Sequence, residues 1–353
     1  MKKISLILIC SFIIFHANAQ LPDSIQNIIE KEMATFMNTN GAVGLSIGIY
    51  KNGYSYTYHA GTTEKGTLHT PDDHTFYSIA SLSKTFTGLL LAQAVTENKV
   101  KLDDDIRKYI EGDYPNLQYN GQPIKLYHLI SHVSRLPFFL SDSADKPGYT
   151  RDNFLKDLHN IKLDTLPGIK FQYSNAAAQL LGYILEKVYN KPYEELLKIK
   201  IVRPLSLKNT KITLTATDKK HAAKGYNKDG SYNSESYNYL QAAGGIKSSV
   251  GDLLKYIEYQ LDEKDSAVAL SHKESWGFEM GNNTRFSCAL NWQIIKSANG
   301  MRRIFQDGNL PNYSSLVIMY PELKTGIVLL SNTILPHELS KMADTILKGV
   351  TLE

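Results

Sequence analysis

Ser81-Leu82-Ser83-Lys84 sets a hydroxyl and an amine three residues apart at the start of the apolar run KTFTGLLLAQAV. On a helix that spacing puts the Lys84 ammonium one turn beyond Ser81 on the same face, within reach of its proton. A helix N-terminus adds positive potential, which favours an alkoxide on Ser81 and disfavours charge on Lys84. Ser78, just upstream, is a candidate cap for that helix. The chemistry such a pair supports is nucleophilic attack on a carbonyl carbon. The same pattern occurs at Ser143-Ala144-Asp145-Lys146, but among Asp142, Pro147 and Gly148, where no helix fixes its geometry. Context therefore selects Ser81.

Tyr173-Ser174-Asn175 follows Pro167-Gly168 and opens the apolar run AAAQLLGYILEKV. A phenol and a carboxamide projecting from a helix start can relay a proton and bind an amide. Taken singly, Tyr173 reads rather as a half-buried aromatic and Asn175 as a helix cap. The rival Tyr114-Pro115-Asn116 has no helix after it. His128 and His132 are spaced like zinc ligands, yet no glutamate follows His128 and no third ligand is in register. They are expected to be structural, with no metal and no other cofactor. Nor is His337-Glu338 followed by a second histidine at the distance a zinc hydrolase needs. Neither a Gly-rich phosphate loop nor a Gly-x-Ser-x-Gly elbow is present, which argues against nucleotide enzymes and the α/β-hydrolase fold.

The elements that must hold these residues show in the periodicity. Two alternating runs around Lys51-Asn52-Gly53, between Gly44 and Gly61, predict a β-hairpin, and Ser314 to Met319 with Gly326 to Leu330 predict a second. Helical spacing of apolar residues marks Lys84 to Glu97, Ile124 to Ser131, Ala176 to Val188 and Tyr193 to Ile201. Strands at both ends with helices between predict an α/β lobe from about 20–80 and 245–353, with a helical lobe of about 81–244 inserted. Leu140 to Thr150 and Tyr226 to Tyr239 are polar and predict surface loops at the rim of a cleft.

The first residues carry Lys2 and Lys3, an apolar stretch from Ile4 to Phe15, and Ala17-Asn18-Ala19. That is the anatomy of a signal peptide over 1–19, with cleavage before Gln20 and export to the periplasm or medium. The apolar stretch is too short to span a bilayer, so no membrane span is expected. Removing Lys2 and Lys3 lowers the formal net charge from +4 to +2, which gives no reason to expect a nucleic acid partner. Only Cys288 is left in a mature chain, so no internal disulfide forms there. Cys288 is expected to be a small buried apolar residue, and the protein a monomer.

With Ser81-x-x-Lys84 and Tyr173-x-Asn175 in order, the chain resembles the class C β-lactamase and D-Ala-D-Ala carboxypeptidase family of penicillin-recognising serine hydrolases. FYSIASLSKTFTG, LDDDIRKYI, IKLYHLISHVSRLP, LPGIKFQYSNAAAQLLGYILEKV and AAGGIKSSVGDLLKYI, with Gly244 and Gly245, carry the likeness over nearly all of the mature chain. The resemblance implies a β-lactamase/transpeptidase-like α/β (α+β) fold, an antiparallel sheet flanked by helices with an inserted helical lobe. It also implies that Ser81 is the nucleophile, Lys84 and Tyr173 manage its proton, and Asn175 orients the substrate amide. The family's third element, Lys-Thr-Gly or His-x-Gly, is best matched by Gln306-Asp307-Gly308, with Asn309 supplying a second oxyanion N–H beside that of Ser81. The literal Lys324-Thr325-Gly326 falls in a hairpin turn and is taken as coincidental. Gln306 in place of a cation, Asn312 in place of a glycine and Arg135 in place of another glycine depart from the pattern. The expected activity is an exported, acyl-enzyme hydrolase of an amide or ester, of the D-Ala-D-Ala carboxypeptidase/peptidase or esterase kind. Its substrate is a small molecule or peptide such as a peptidoglycan stem peptide or a β-lactam. The alternatives are a class C-type β-lactamase and a non-catalytic cell-wall-binding protein.

Overall fold

The computed structural model describes residues 21–144, 146, 148–234 and 240–352. The leader and its cleavage point lie outside the described residues, as do Asp145 of the second Ser-x-x-Lys match and 235–239 of the Tyr-rich loop.

The chain begins with helix α1 (Asp23–Met37) and then makes the first hairpin, β1 (Gly44–Lys51) and β2 (Tyr54–Gly61). Its turn residues Asn52 and Gly53 have φ of +50° and +93°, the left-handed pair that matches the twist of the two strands. After a long helical excursion the chain returns as β3 (Trp276–Gly281), β4 (Thr284–Cys288), β5 (Gln293–Lys296), β6 (Arg302–Leu310), β7 (Tyr313–Tyr320) and β8 (Thr325–Ser331). These join the first hairpin in one antiparallel sheet of order β2-β1-β8-β7-β6-β5-β4-β3. The two chain ends therefore meet between β1 and β8.

Both faces of the central strands are buried. Leu45, Ile47 and Ile49 of β1, with Ile318, Ile327 and Leu329, face α1 and the last helix, Pro336–Leu352. The opposite face carries Val317, Val328 and Leu330 and packs on the helix Val250–Asp262. There the helix comes so near that a Cβ on Gly48 would lie 2.8 Å from Val250 Cγ2. This second core runs on without a break into the helical region, through Leu89 and Leu90 of α2 (Ser83–Thr96) to Leu180 and Leu181 of α3 (Asn175–Tyr189). α2 is buried nearly all round, so its apolar residues show no single stripe.

The structure places two predicted features differently. Ser78 does not cap the nucleophile helix; it lies in a two-residue strand, Tyr77–Ser78, paired with Lys247–Ser248. Ser81 itself belongs to a 3₁₀ turn, Ala80–Leu82, and the α-helix begins only at Ser83. The helix predicted from Tyr193 to Ile201 is α-helical over Tyr193–Leu197 and continues as a π turn, Lys198–Val202.

Candidate active site

The nucleophile turn is held from three sides. Ile79 O accepts from Ser315 Oγ of β7 at 2.8 Å, Ile79 N donates to Ile246 O at 3.1 Å, and Ile246 N donates to Ser83 Oγ at 3.1 Å. Between these anchors Ala80 adopts φ +48°, a left-handed conformation that costs an alanine about 1–2 kcal/mol. Strain of this kind persists where surrounding contacts over-determine it, and here it turns Ser81 out at the head of α2.

Lys84 is wholly buried, and its Nζ lies 2.9 Å from Ser81 Oγ and 2.7 Å from the carbonyl oxygen of Ala243. The short helix Gln241–Gly244 that supplies this carbonyl is also bonded to α2 through Thr87 Oγ1 and Ala242 O at 2.7 Å. Burial pulls the Lys84 ammonium down to about 7, against a smaller upward pull from the Asp307 carboxylate. At neutral pH a large share of Lys84 is thus a free amine beside the serine hydroxyl.

Tyr173 completes the cluster. Its ring lies 4.9 Å from Lys84 Nζ, the Ser81 side chain is close enough to act on its hydroxyl, and burial raises its pKa well above the ordinary phenol value. It is therefore a neutral phenol. The ring packs against His132, tilted by 31° with 4.2 Å between centroids. His132 Nδ1 accepts from Ser174 N at 3.2 Å, which leaves Nε2 to donate to Asn291 Oδ1 at 2.8 Å. Burial holds this imidazole neutral, with its pKa down at about 3. His128 Nδ1 accepts from Lys125 N at 3.0 Å. Both histidines thus hold backbone in place. Among the described residues no group of three or more His, Cys, Asp or Glu side chains is gathered that could hold a metal ion.

Ser174, not Asn175, caps α3: its Oγ accepts from Ala177 N at 2.9 Å and donates to Pro137 O at 2.6 Å. Asn175, the first helical residue, is left to line a cavity of about 170 Å³ together with Ser81, Phe138, Leu240, Asn309 and Pro311. Of the β6 residues, Asn309 and Leu310 border this cavity, whereas Gln306 and Gly308 do not. Gln306 is buried, and its Nε2 bends back to donate to Asp307 O at 2.7 Å. Gly308 is needed for close approach, because a Cβ there would lie 2.2 Å from Ile79 O. Asp307 is the residue that motif matching overlooked. Its half-buried carboxylate acts electrostatically on Lys84 and Tyr173, and burial raises its own pKa.

Several sequence alternatives resolve into structural roles. Lys324, at φ +44°, sits in the turn between β7 and β8, five residues along β7 from the Ser315 anchor, or about 17 Å at strand rise. Asn116 Nδ2 donates to Leu158 O and Ile161 O at 2.8 and 3.0 Å, tying loops together. Arg135, at φ +67°, makes a two-pronged bond to Asp164 at 2.8 and 2.6 Å and clamps the loop that leads to Tyr173. Cys288 is buried, with its thiol pushed up to about 12. A serine–histidine–aspartate row that the sequence did not suggest, Ser46, His59 and Asp73 at 3.0 Å steps, is no second site: Ser46 Oγ is fully buried and engaged by Tyr77 Oη. No helix among the described residues is long and apolar enough to cross a membrane.

The family model described as Beta-lactamase matches residues 26–350. Protein flp of Staphylococcus aureus (strain N315) is 29% identical over 330 residues, covering 89% of this chain and 64% of its own length. The chain thus spans less than two thirds of that relative. A protein named Beta-lactamase from Pseudomonas fluorescens is 26% identical over 361 residues, covering 92% of this chain and 99% of its own. Among solved structures, the Beta-Lactamase/D-Alanine Carboxypeptidase from Pseudomonas syringae superposes with a TM-score of 0.81 at 22% identity, over 92% of this chain and 99% of that one.

Proposed function

The chain belongs to the Beta-lactamase family, and from that premise we propose that it hydrolyses an ester or amide through an acyl-enzyme on Ser81. The observation that carries this reading is the 2.9 Å contact between Ser81 Oγ and a lysine amine held near neutrality. Neutral Lys84 takes the Ser81 proton as Oγ bonds to the carbonyl carbon. Tyr173, a neutral phenol beside Ser81, passes its proton to the departing alcohol or amine as the scissile bond breaks and recovers one from the Lys84 ammonium. Water then adds to the ester carbon as one of its protons passes to Lys84, that proton moves on to Ser81 Oγ as the acyl bond breaks, and a carboxylic acid leaves. The N–H groups of Ser81 and Asn309 hold the oxyanion, and loss of one such donor typically costs about 10²–10³ in turnover. Asn175, which lines the same cavity, orients the substrate amide.

An esterase or a peptidase on non-anionic substrates is favoured over a β-lactamase. A β-lactam presents a carboxylate, and at the matching positions this chain has the retracted amide of Gln306 and the carboxylate of Asp307. D-Ala carboxypeptidase activity is the second reading, suggested by the name of the Pseudomonas syringae neighbour. Export, with a mature chain starting at Gln20, is part of the same proposal. The discriminating experiment treats purified protein with a fluorophosphonate and a fluorescent penicillin, then screens neutral esters and D-Ala-D-Ala peptides. Labelling by the fluorophosphonate with turnover of esters supports the preferred reading; rapid penicillin hydrolysis overturns it in favour of the β-lactamase.

A further inference from the structure

Among the described residues, Asp307 is a charged group beside the site that the acyl-transfer steps leave unused. The pairing of β6 with β5 ends at Phe305 opposite Gln293, so Asp307 and Asn309 lie on a stretch of β6 that is free of that neighbour. Asp307 Oδ2 accepts from Asn309 Nδ2 at 2.7 Å, and Asn309 borders the cavity of Ser81. Asn309 Oδ1 is buried and has no donor among the described residues. A carboxylate and an unpartnered amide oxygen therefore stand together, and no described lysine or arginine pairs with the carboxylate through a hydrogen bond. The cavity wall formed by Phe138, Leu240, Leu310 and Pro311 is apolar and does not include Asp307. Through its bond to Asn309 the Asp307 carboxylate stands at the edge of that cavity, and its charge is felt at Lys84 and Tyr173.

We propose that Asp307 is a specificity-determining residue that selects substrates whose leaving group carries a positive charge and rejects those with a carboxylate there. This rests on the acyl-transfer reading above. A charge pair a few ångströms apart in a partly screened site changes kcat/KM by roughly 10- to 100-fold.

The test compares three thiobutyrate esters on the purified full chain: butyrylthiocholine, its neutral S-(3,3-dimethylbutyl) isostere, and S-butyryl-3-mercaptopropionate. Thiol release gives kcat/KM for each. The expected order is cation, neutral, anion. Asp307→Asn should shrink the cation-to-anion ratio by at least about tenfold, and a ratio cancels any general loss of activity in the variant. Should the variant fail to fold, the wild-type ratio is followed as salt is added, and it should fall. Equal rates for the three esters, a ratio indifferent to salt, or a ratio that survives in folded Asp307→Asn would each overturn the proposal. Absence of thiol from every ester, together with no fluorophosphonate labelling of Ser81, would instead remove the acyl-transfer reading and this proposal with it.

Discussion

Lys84 Nζ is bound to the carbonyl oxygen of Ala243 at 2.7 Å, and that bond aims the amine at Ser81. A neutral amine has two N–H donors and one lone pair. Spending a donor on Ala243 leaves the lone pair for the Ser81 proton.

The pH dependence follows from that geometry. Charged Lys84 has no lone pair, and its pKa is about 7, so kcat/KM on a neutral ester should fall about tenfold per pH unit below that value and level off above it. Asp307 pulls the Lys84 pKa up, so Asp307→Asn should move the acidic limb to lower pH. A profile that is flat from pH 5 to 8 contradicts Lys84 as the base.

Gly308→Ala should damage the site without adding a polar group anywhere. Its Cβ would lie 2.2 Å from Ile79 O and 3.0 Å from Leu82 N, so the Ala80–Leu82 turn must move. Overpacking of this kind costs about 1–3 kcal/mol, and misplacement of a reacting atom by about 1 Å can cost ~10²-fold in rate. Turnover should drop far more than the melting temperature suggests. An active Gly308→Ala variant would mean that β6 does not pack on the nucleophile turn.

Gln306→Lys separates a family-like cation from the local charge. Because Gln306 is buried against Asp307 O, a lysine there should pair with the Asp307 carboxylate before it grips a substrate. Alone it should raise penicillin reactivity little; combined with Asp307→Thr the gain should reach roughly 10–150-fold, the size of a charged hydrogen bond of about 1.5–3 kcal/mol. Lys324→Ala should change neither. Loss of activity in Lys324→Ala with no effect of the double variant would restore Lys324-Thr325-Gly326 as the third element.

His132 makes the fold acid-sensitive. Its native pKa is about 3 and its ordinary value 6.5, so between those values the unfolded chain binds a proton that the native chain refuses. Stability therefore rises with pH across this window and is lost as pH falls below about 6.5, by roughly 2 kcal/mol between pH 7 and 5. Urea unfolding of His132→Gln should show that much less pH dependence. An unchanged dependence would mean His132 is not buried as a neutral ring.

As candidates, Ser81, Lys84, Tyr173 and Asn175 are legible in the sequence because each pair sits on one local stretch at the head of a helix. The Asn52-Gly53 hairpin is legible because it too is a local stretch. Ala80 is not, since nothing in an alanine announces a φ of +48°; the strain exists only because Ile79 and Ser83 are bonded to distant residues. Asp307 needs the register of β6 against the 3₁₀ turn before its carboxylate can be placed near Lys84. β3, β4 and β5 are short and half-exposed at the sheet's edge, and runs such as TRFSC carry no clean alternation. α1 and Pro336–Leu352 do carry a readable helical period, in Ile25, Ile29 and Phe36 and in Leu339, Met342 and Ile346, but only the sheet they cover gives those stripes a purpose.

The central claim is that Ser81 is the acylated residue. Peptide mapping of the fluorophosphonate-treated protein should find one adduct, on Ser81, with labelling and ester turnover both abolished in Ser81→Ala and kept in Ser143→Ala. An adduct on Ser143, or full turnover by Ser81→Ala, would contradict the account.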